Sequence, residues 1–177
     1  CVKTTTAVMP EITFSHIQPY KLAVSQVRVE QSFVPSSEAP HVEMRINQPP
    51  IQAMRRWAKD RLTVSNSNSS GFARFVIIDA SVTEQPLDTD GNITAFFTNE
   101  QSMRYVATAE ALLEIQSDDG LSKGGATARV SKALTLAEKS TLNEREQALF
   151  NLVEGLMKEF NVRMDESIRA HLSKWLE

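Results

Sequence analysis

The sequence predicts an α+β two-layer sandwich in the order β-α-β-β-β-α. Its mainly antiparallel four-stranded sheet carries two helices on one face, and the C-terminal helix is long. Three observations carry this. From Thr141 to Leu176, the residues Leu149, Val153, Leu156, Phe160, Met164, Ile168, Leu172 and Trp175 recur at spacings of three and four, which keeps them on one helical face. Four earlier runs have the alternation or the β-branched density of strands. An apolar helical stripe must be buried on something, and a sheet with one apolar face supplies the partner.

In chain order, residues 1–19 read as an extended tether. Thr4, Thr5, Thr6, Pro10 and Pro19 disfavour helix. Residues 20–177 read as a single α+β domain. Tyr20 to Phe33 is the first strand. Leu22 and Val24 share one parity and Val27 and Val29 the other, which predicts a bulge near Ser25–Gln26. Pro35, Ser36, Ser37 and Pro40 form a loop. His41 to Ile46 alternates through Val42, Met44 and Ile46, as a short strand or an edge continuation would.

Pro49 and Pro50 open the first helix, where a missing N–H costs nothing. Ile51, Met54, Trp57, Ala58 and Leu62 make its apolar face. The polar run from Ser65 to Gly71 ends it. Phe72 to Glu84 is the second strand, dense in β-branched residues. A long connection follows, with a turn at Asp88 to Gly91 and three apolar residues, Ile93, Phe96 and Phe97. Met103 to Ile115 is the third strand, with Tyr105, Ala107, Ala109, Ala111, Leu113 and Ile115 on one parity. Alanine is a poor strand former, but small side chains let a helix approach the sheet closely. Ala126 to Ala137 is the fourth strand, with Ala128, Val130, Leu134 and Leu136 inward.

Thr141-Leu-Asn-Glu144 fits a capping box at the start of the final helix. Glu154 with Lys158, Glu159 with Arg163, and Asp165 with Arg169 are spaced as i, i+4 ion pairs. Unbroken, this helix is roughly 50 Å long. Gly155 and Asn161 are its expected weak points.

The composition excludes several function classes. A net charge of −3 offers no basic field for nucleic acid or anionic lipid. No run of about 18 apolar residues is present, so no transmembrane helix is expected. The one cysteine, Cys1, rules out a disulfide within the chain. His16, His41 and His171 are not at metal-ligand spacing. Asp88 to Asn92 lacks a calcium ligand at Pro86. Gly120-Leu-Ser-Lys-Gly-Gly125 leads into a strand, so it is a hairpin loop rather than a phosphate cradle. Asp79 is a lone carboxylate with no acid/base mate. No catalytic residue, metal site or cofactor is therefore expected, and the chain reads as a non-enzyme.

Cys1 has three readings. It is the lipid attachment point of a bacterial lipoprotein, followed by a polar tether; or a nucleophile activated by its own α-amine; or an arbitrary start of the numbered chain. Phe96, Phe97 and Trp175 are candidate contacts for a partner or lipid.

Cys1, the extended tether and the order β-α-β-β-β-α with a long final helix together resemble small outer-membrane lipoproteins of Gram-negative envelopes. The types most similar are the ABC-transport auxiliary lipoproteins of intermembrane lipid transport and the lipopolysaccharide-assembly lipoprotein. Arg55-Arg-Trp-Ala-Lys-Asp-Arg-Leu62 is similar to the auxiliary group, whose first helix region often carries a tryptophan. Val2, in place of an aspartate, resembles an outer-membrane-destined lipoprotein. The long loop from Gln85 to Ser102 departs from the pattern. The resemblance implies a membrane attachment through acylated Cys1, on the periplasmic face of the outer membrane. It also implies an accessory role, in which the protein binds or scaffolds an envelope protein partner of a transport or assembly system. Two alternatives stand beside it. One is a carrier of lipid or a small ligand, with space beneath Ala107, Ala109 and Ala111. The other is an N-terminal-nucleophile amidase.

Overall fold

The computed structural model describes residues 8–65, 68–87 and 102–177. Cys1, the turn from Asp88 to Gly91, Phe96 and Phe97 lie outside the described residues. The elements are β1 (Tyr20–Leu22), β2 (Gln26–Gln31), a 3₁₀ turn (Glu43–Arg45), α1 (Pro50–Arg61), β3 (Leu62–Val64), β4 (Phe72–Asp79), β5 (Val82–Leu87), β6 (Ser102–Gln116), β7 (Ser122–Ala137), α2 (Leu142–His171) and a closing 3₁₀ turn (Ser173–Trp175).

The main sheet is built around β6. β4 and β5 lie end to end along one side of it and β7 along the other, all antiparallel. β2 adds parallel to β4 on the outside. This is the mainly antiparallel sheet of the expected sandwich. Both helices cover one face of it, where Ala73, Phe75, Ile77, the odd residues of β6 from Tyr105 to Ile115, and Ala126, Ala128 and Val130 of β7 are buried. Ala107, Ala109 and Ala111 are fully buried there, as the sequence led us to expect of residues chosen for close approach. Trp57 of α1 stacks on Phe75 at 5.3 Å and meets the edge of Phe160 of α2 at 5.4 Å, tying both helices to the sheet.

Two changes of parity have different origins. The run from Phe72 to Glu84 is not one regular strand. Its buried residues are Ala73, Phe75 and Ile77, then Ala80 and Val82, with a register shift between Ile77 and Asp79. Asp79 Oδ1 accepts the Ser81 N–H at 3.0 Å and turns the chain by one residue, so the apolar side stays inward. At Ser25–Gln26 the expected bulge is absent. The chain there leaves β1, which pairs with β3 in a small parallel sheet, and enters β2 of the main sheet. Leu62 begins β3 rather than ending α1, and Thr63, a β-branched residue, follows it into that sheet.

His41 to Ile46 is a single bridge from His41 to Thr83 followed by the 3₁₀ turn, not a strand. The cause is Glu43, whose carboxylate enters the core while Met44 faces solvent. The segment from Ile12 to Phe14 has no regular secondary structure and is packed. Ile12 and Phe14 are buried, and the Phe14 N–H donates to Asp60 Oδ2 at 2.8 Å.

α2 has its capping box. The Glu144 N–H donates to Thr141 Oγ1 at 3.3 Å and the Thr141 N–H to Glu144 Oε2 at 2.8 Å. The helix continues through Gly155 and Asn161 without a break, so its length is about 45 Å. Of the three expected i, i+4 pairs, Glu154 and Lys158 meet at 3.3 Å. Glu159 instead meets Lys132 of β7 at 3.5 Å, and Asp165 meets Arg61 of α1 at 2.6 Å. Partners on neighbouring elements have replaced those one turn along. Met164, Ile168 and Leu172 are completely buried, so the second half of the helix is core.

Candidate interaction surface

Two buried polar clusters organise the inside of the molecule. In the first, Arg61 is only 2% exposed. It follows Trp57 by four residues, so it lies on the apolar face of α1. Its Nε donates to Asn161 Oδ1 at 3.2 Å, its Nη2 to Asp165 Oδ1 at 2.6 Å, and its Nη1 to the Gln18 carbonyl. Trp57 Nε1 donates to the same Asn161 oxygen at 2.8 Å. The guanidinium also sits 4.9 Å from the centre of the Tyr20 ring. Burial and the nearby Asp165 carboxylate push the Tyr20 phenol up from its ordinary value. The cluster joins α1, α2 and the start of β1 through the Arg61 guanidinium, while the buried Tyr20 hydroxyl has no hydrogen-bond partner among the described residues.

The second cluster centres on Glu43, 1% exposed. Its carboxylate accepts N–H groups from Ser36 at 2.9 Å and Val82 at 3.2 Å, with His41 Nδ1 at 3.1 Å. Burial alone would raise its pKa, but these hydrogen bonds outweigh it and hold the group below its ordinary 4.5. A carboxylate with a depressed folded-state pKa contributes stability that is present in full above the unfolded value and lost as pH falls through the folded value. The melting temperature of the native protein should therefore exceed that of a Glu43→Gln variant at neutral pH. The gap should narrow below about pH 4, as thermal melts across pH would show.

The surface has a different character. Among the described residues, no helix covers the sheet face away from α1 and α2. There Arg74 pairs with Glu30 at 2.8 Å and Glu114 at 3.2 Å, and Arg129 pairs with Glu110. Arg28 lies 3.7 Å above the Phe72 ring. Val76, Val106 and Leu112 are half-buried between these charges. A cleft of about 480 Å³ lies between Met9, Ile46, Leu149 and Phe150. A second, open groove of about 430 Å³ runs between β7 and α2.

Trp175 was expected as a contact residue. It is half-buried and lies on Gly124 of β7, and its carbonyl accepts the Ala23 N–H at 2.8 Å. A Cβ at Gly124 would stand 2.9 Å from Trp175 Cζ3 and 3.2 Å from Leu172 Cδ2. Gly124→Val should therefore displace the ring and cost about 1–3 kcal/mol. The check is a lower melting temperature with a red-shifted tryptophan emission, since Trp57 stays buried.

Of the expected site residues, Cys1, Phe96 and Phe97 are outside the described residues, and Trp175 lies at the C-terminal end. Arg61, Asn161 and Glu43 were not singled out as polar anchors. For Arg61 a signal existed, a charge falling in the apolar stripe of Met54, Trp57 and Ala58. Among the described residues, no group of three or more His, Cys, Asp or Glu side chains is arranged to hold a metal ion. No helix among them is long and apolar enough to cross a membrane.

No protein-family model matches the chain, and no curated protein matches it. Among solved structures, the chain is similar to a minor lipoprotein from Acinetobacter baumannii at 11% sequence identity and a TM-score of 0.39, over 82% of this chain and 91% of that one.

Proposed function

We propose that this protein is a non-enzymatic accessory lipoprotein of a bacterial envelope, attached to the periplasmic face of the outer membrane through Cys1, which holds a protein partner of a transport or assembly system. The observation that carries the partner-binding part is the one-sided covering of the sheet. Both helices lie on one face, and the buried Arg61, Asn161 and Glu43 are paired within the molecule. Among the described residues, no helix covers the other face and no strand pairs with the outer edge of β7. The anchor rests on Cys1 and the polar residues after it.

Photo-crosslinking residues placed one at a time at Val76 on the open face, Ser131 on β7 and Lys59 on the outside of α1 test this reading in envelope-bearing cells. An envelope protein captured from Val76 or Ser131 and not from Lys59 is the expected result. Capture from Lys59 alone, or from none of the three, would overturn it. The cleft bounded by Met9, Ile46, Leu149 and Phe150 favours a second reading, as a small-ligand carrier, because its volume falls in the range of ligand sites. Native mass spectrometry showing a stoichiometric small molecule on the gently purified protein would support that reading over the first.

A further inference from the structure

β7 is an edge strand: among the described residues it pairs with β6 alone. Two hydrogen bonds show which of its backbone groups are free. The Thr108 N–H donates to the Ser81 carbonyl at 2.9 Å, on the side of β6 away from β7. Its register partner Ser131 therefore turns its own N–H and C=O away from β6 as well. The Thr127 N–H, on the same parity as Ser131, leaves the ladder and donates to Ser167 Oγ of α2 at 3.0 Å. The N–H and C=O of Ser131, Ala133 and Thr135 thus point outward, and all three side chains are exposed.

Sheet edges are usually blunted by lysine, proline or a bulge. Between Ser131 and Ala137 the register is regular and Lys132 is the only charge. Lys132 is turned towards α2 and meets Glu159 at 3.5 Å. Beside this edge lies the 430 Å³ groove, whose lining includes the apolar Leu134, Leu136, Ala148 and Leu152 and the polar Lys132 and Asn151. Gly155 carries no side chain, and the Lys132 stem crosses over it, its Cδ 3.7 Å from where a Cβ would stand.

We propose that this edge takes up an extended peptide segment of a partner protein as an added strand, with alternate apolar side chains seated in the β7–α2 groove. The inference rests on the accessory reading above and names the class of partner. The occupant follows from three features. A row of outward N–H and C=O groups is complementary to an extended backbone. Along β7 the half-buried Leu134 and Leu136 alternate with the exposed Ser131, Ala133 and Thr135, so a strand added beside it alternates with the same period of two. The two cations on this edge, Arg129 and Lys132, are already paired with Glu110 and Glu159, so neither calls for a charged guest. From Arg129 to Ala137 the edge is about 30 Å long at 3.3 Å per residue, the span of a short strand. A second copy fits less well. It would bring two α2 helices together near Gln147 and Asn151, polar side chains already bonded to each other at 3.0 Å.

The probe is a fluorescein-labelled pool of nonapeptides with Val, Leu, Ile or Phe at odd positions and Ser or Thr at even ones. A twin pool is N-methylated at alternate amides. The full protein should bind the first pool, read by anisotropy, and bind the twin at least ten-fold more weakly. Ala133→Pro removes one outward N–H and leaves the ladder to β6 intact, since proline is tolerated on an edge. It should weaken binding at least ten-fold at an unchanged circular dichroism spectrum. Gly155→Met, which fills the groove, should do the same and guards against misfolding of the proline variant. No binding by the native protein, or equal binding by both variants, would overturn the proposal. So would a native dimer in sedimentation that Ala133→Pro converts to monomer, which would assign the edge to a second copy. Crosslinking to an envelope protein from Val76 but not from Ser131 would leave the accessory reading standing and sink this one.

Discussion

An Arg61→Met protein is expected to lose about 3 kcal/mol of stability, although the substitution keeps an unbranched, apolar stem of similar reach. The native guanidinium is almost wholly buried, and it is bonded to Asn161, Asp165 and the Gln18 carbonyl at once. Methionine restores packing but leaves the Asp165 carboxylate without its cation. Breaking one member of a buried pair typically costs about 3–5 kcal/mol, because the charge left behind is uncompensated. Asp165 is 24% exposed, so water relieves part of that and the lower end applies. Asn161 keeps its bond from Trp57 Nε1 and should hold its place. Urea unfolding gives the number, with an unchanged m-value showing that the folded state remains compact. Adding Asp165→Asn to Arg61→Met should recover part of the loss, since the two residues are in contact and their effects do not add. A loss below about 1 kcal/mol for Arg61→Met would mean that the cluster is solvated rather than a lock between the helices.

The second large effect is in the same C-terminal half of α2. A chain ending at Asn161 should not fold cooperatively. It loses Met164, Ile168 and Leu172, each completely buried, and the half-buried Trp175. At about 1.5–3 kcal/mol per buried side chain, the first three alone amount to roughly 5–9 kcal/mol. That matches the whole net stability of many domains. The shortened chain also loses the Arg61–Asp165 pair, the Ala23 N–H to Trp175 carbonyl bond at 2.8 Å and the Glu177 N–H to Lys21 carbonyl bond at 3.0 Å. These last two tie the C-terminus across β1. Calorimetry or far-ultraviolet circular dichroism would show a broad transition or none. A melting temperature equal to that of the full chain would mean that Met164 to Trp175 forms a projecting arm.

What was legible in the sequence follows physical range. The capping box at Thr141, the stripe of α2 and the proline start of α1 are local signals, and each has the expected form. The alternation of Tyr105 to Ile115 is equally local and marks the central strand. The departures come where a distant partner decides. The parity change at Ser25 has the same appearance whether the chain bulges or moves to another sheet. Only the presence of β3 some forty residues later settles it. Glu43 looked like the polar half of an alternating strand, and it turns inward because Ser36 and Val82 offer it N–H groups. Asp165 looked like a surface partner for Arg169 until α1 placed Arg61 beside it. The candidate contact surface was less legible still. The free edge of β7 depends on which strand is outermost, and the groove beside it depends on how α2 crosses the sheet.

The central claim is that this domain works while tethered to a membrane by Cys1. It is tested most directly by expressing the full-length precursor with labelled palmitate and separating membrane from soluble fractions. The account predicts that the native protein is labelled and sediments with membranes, and that Cys1→Ser is unlabelled and soluble with the same melting temperature. A Cys1→Ser protein that still takes up label and stays with the membranes, or a native protein that is unlabelled and soluble, would contradict it.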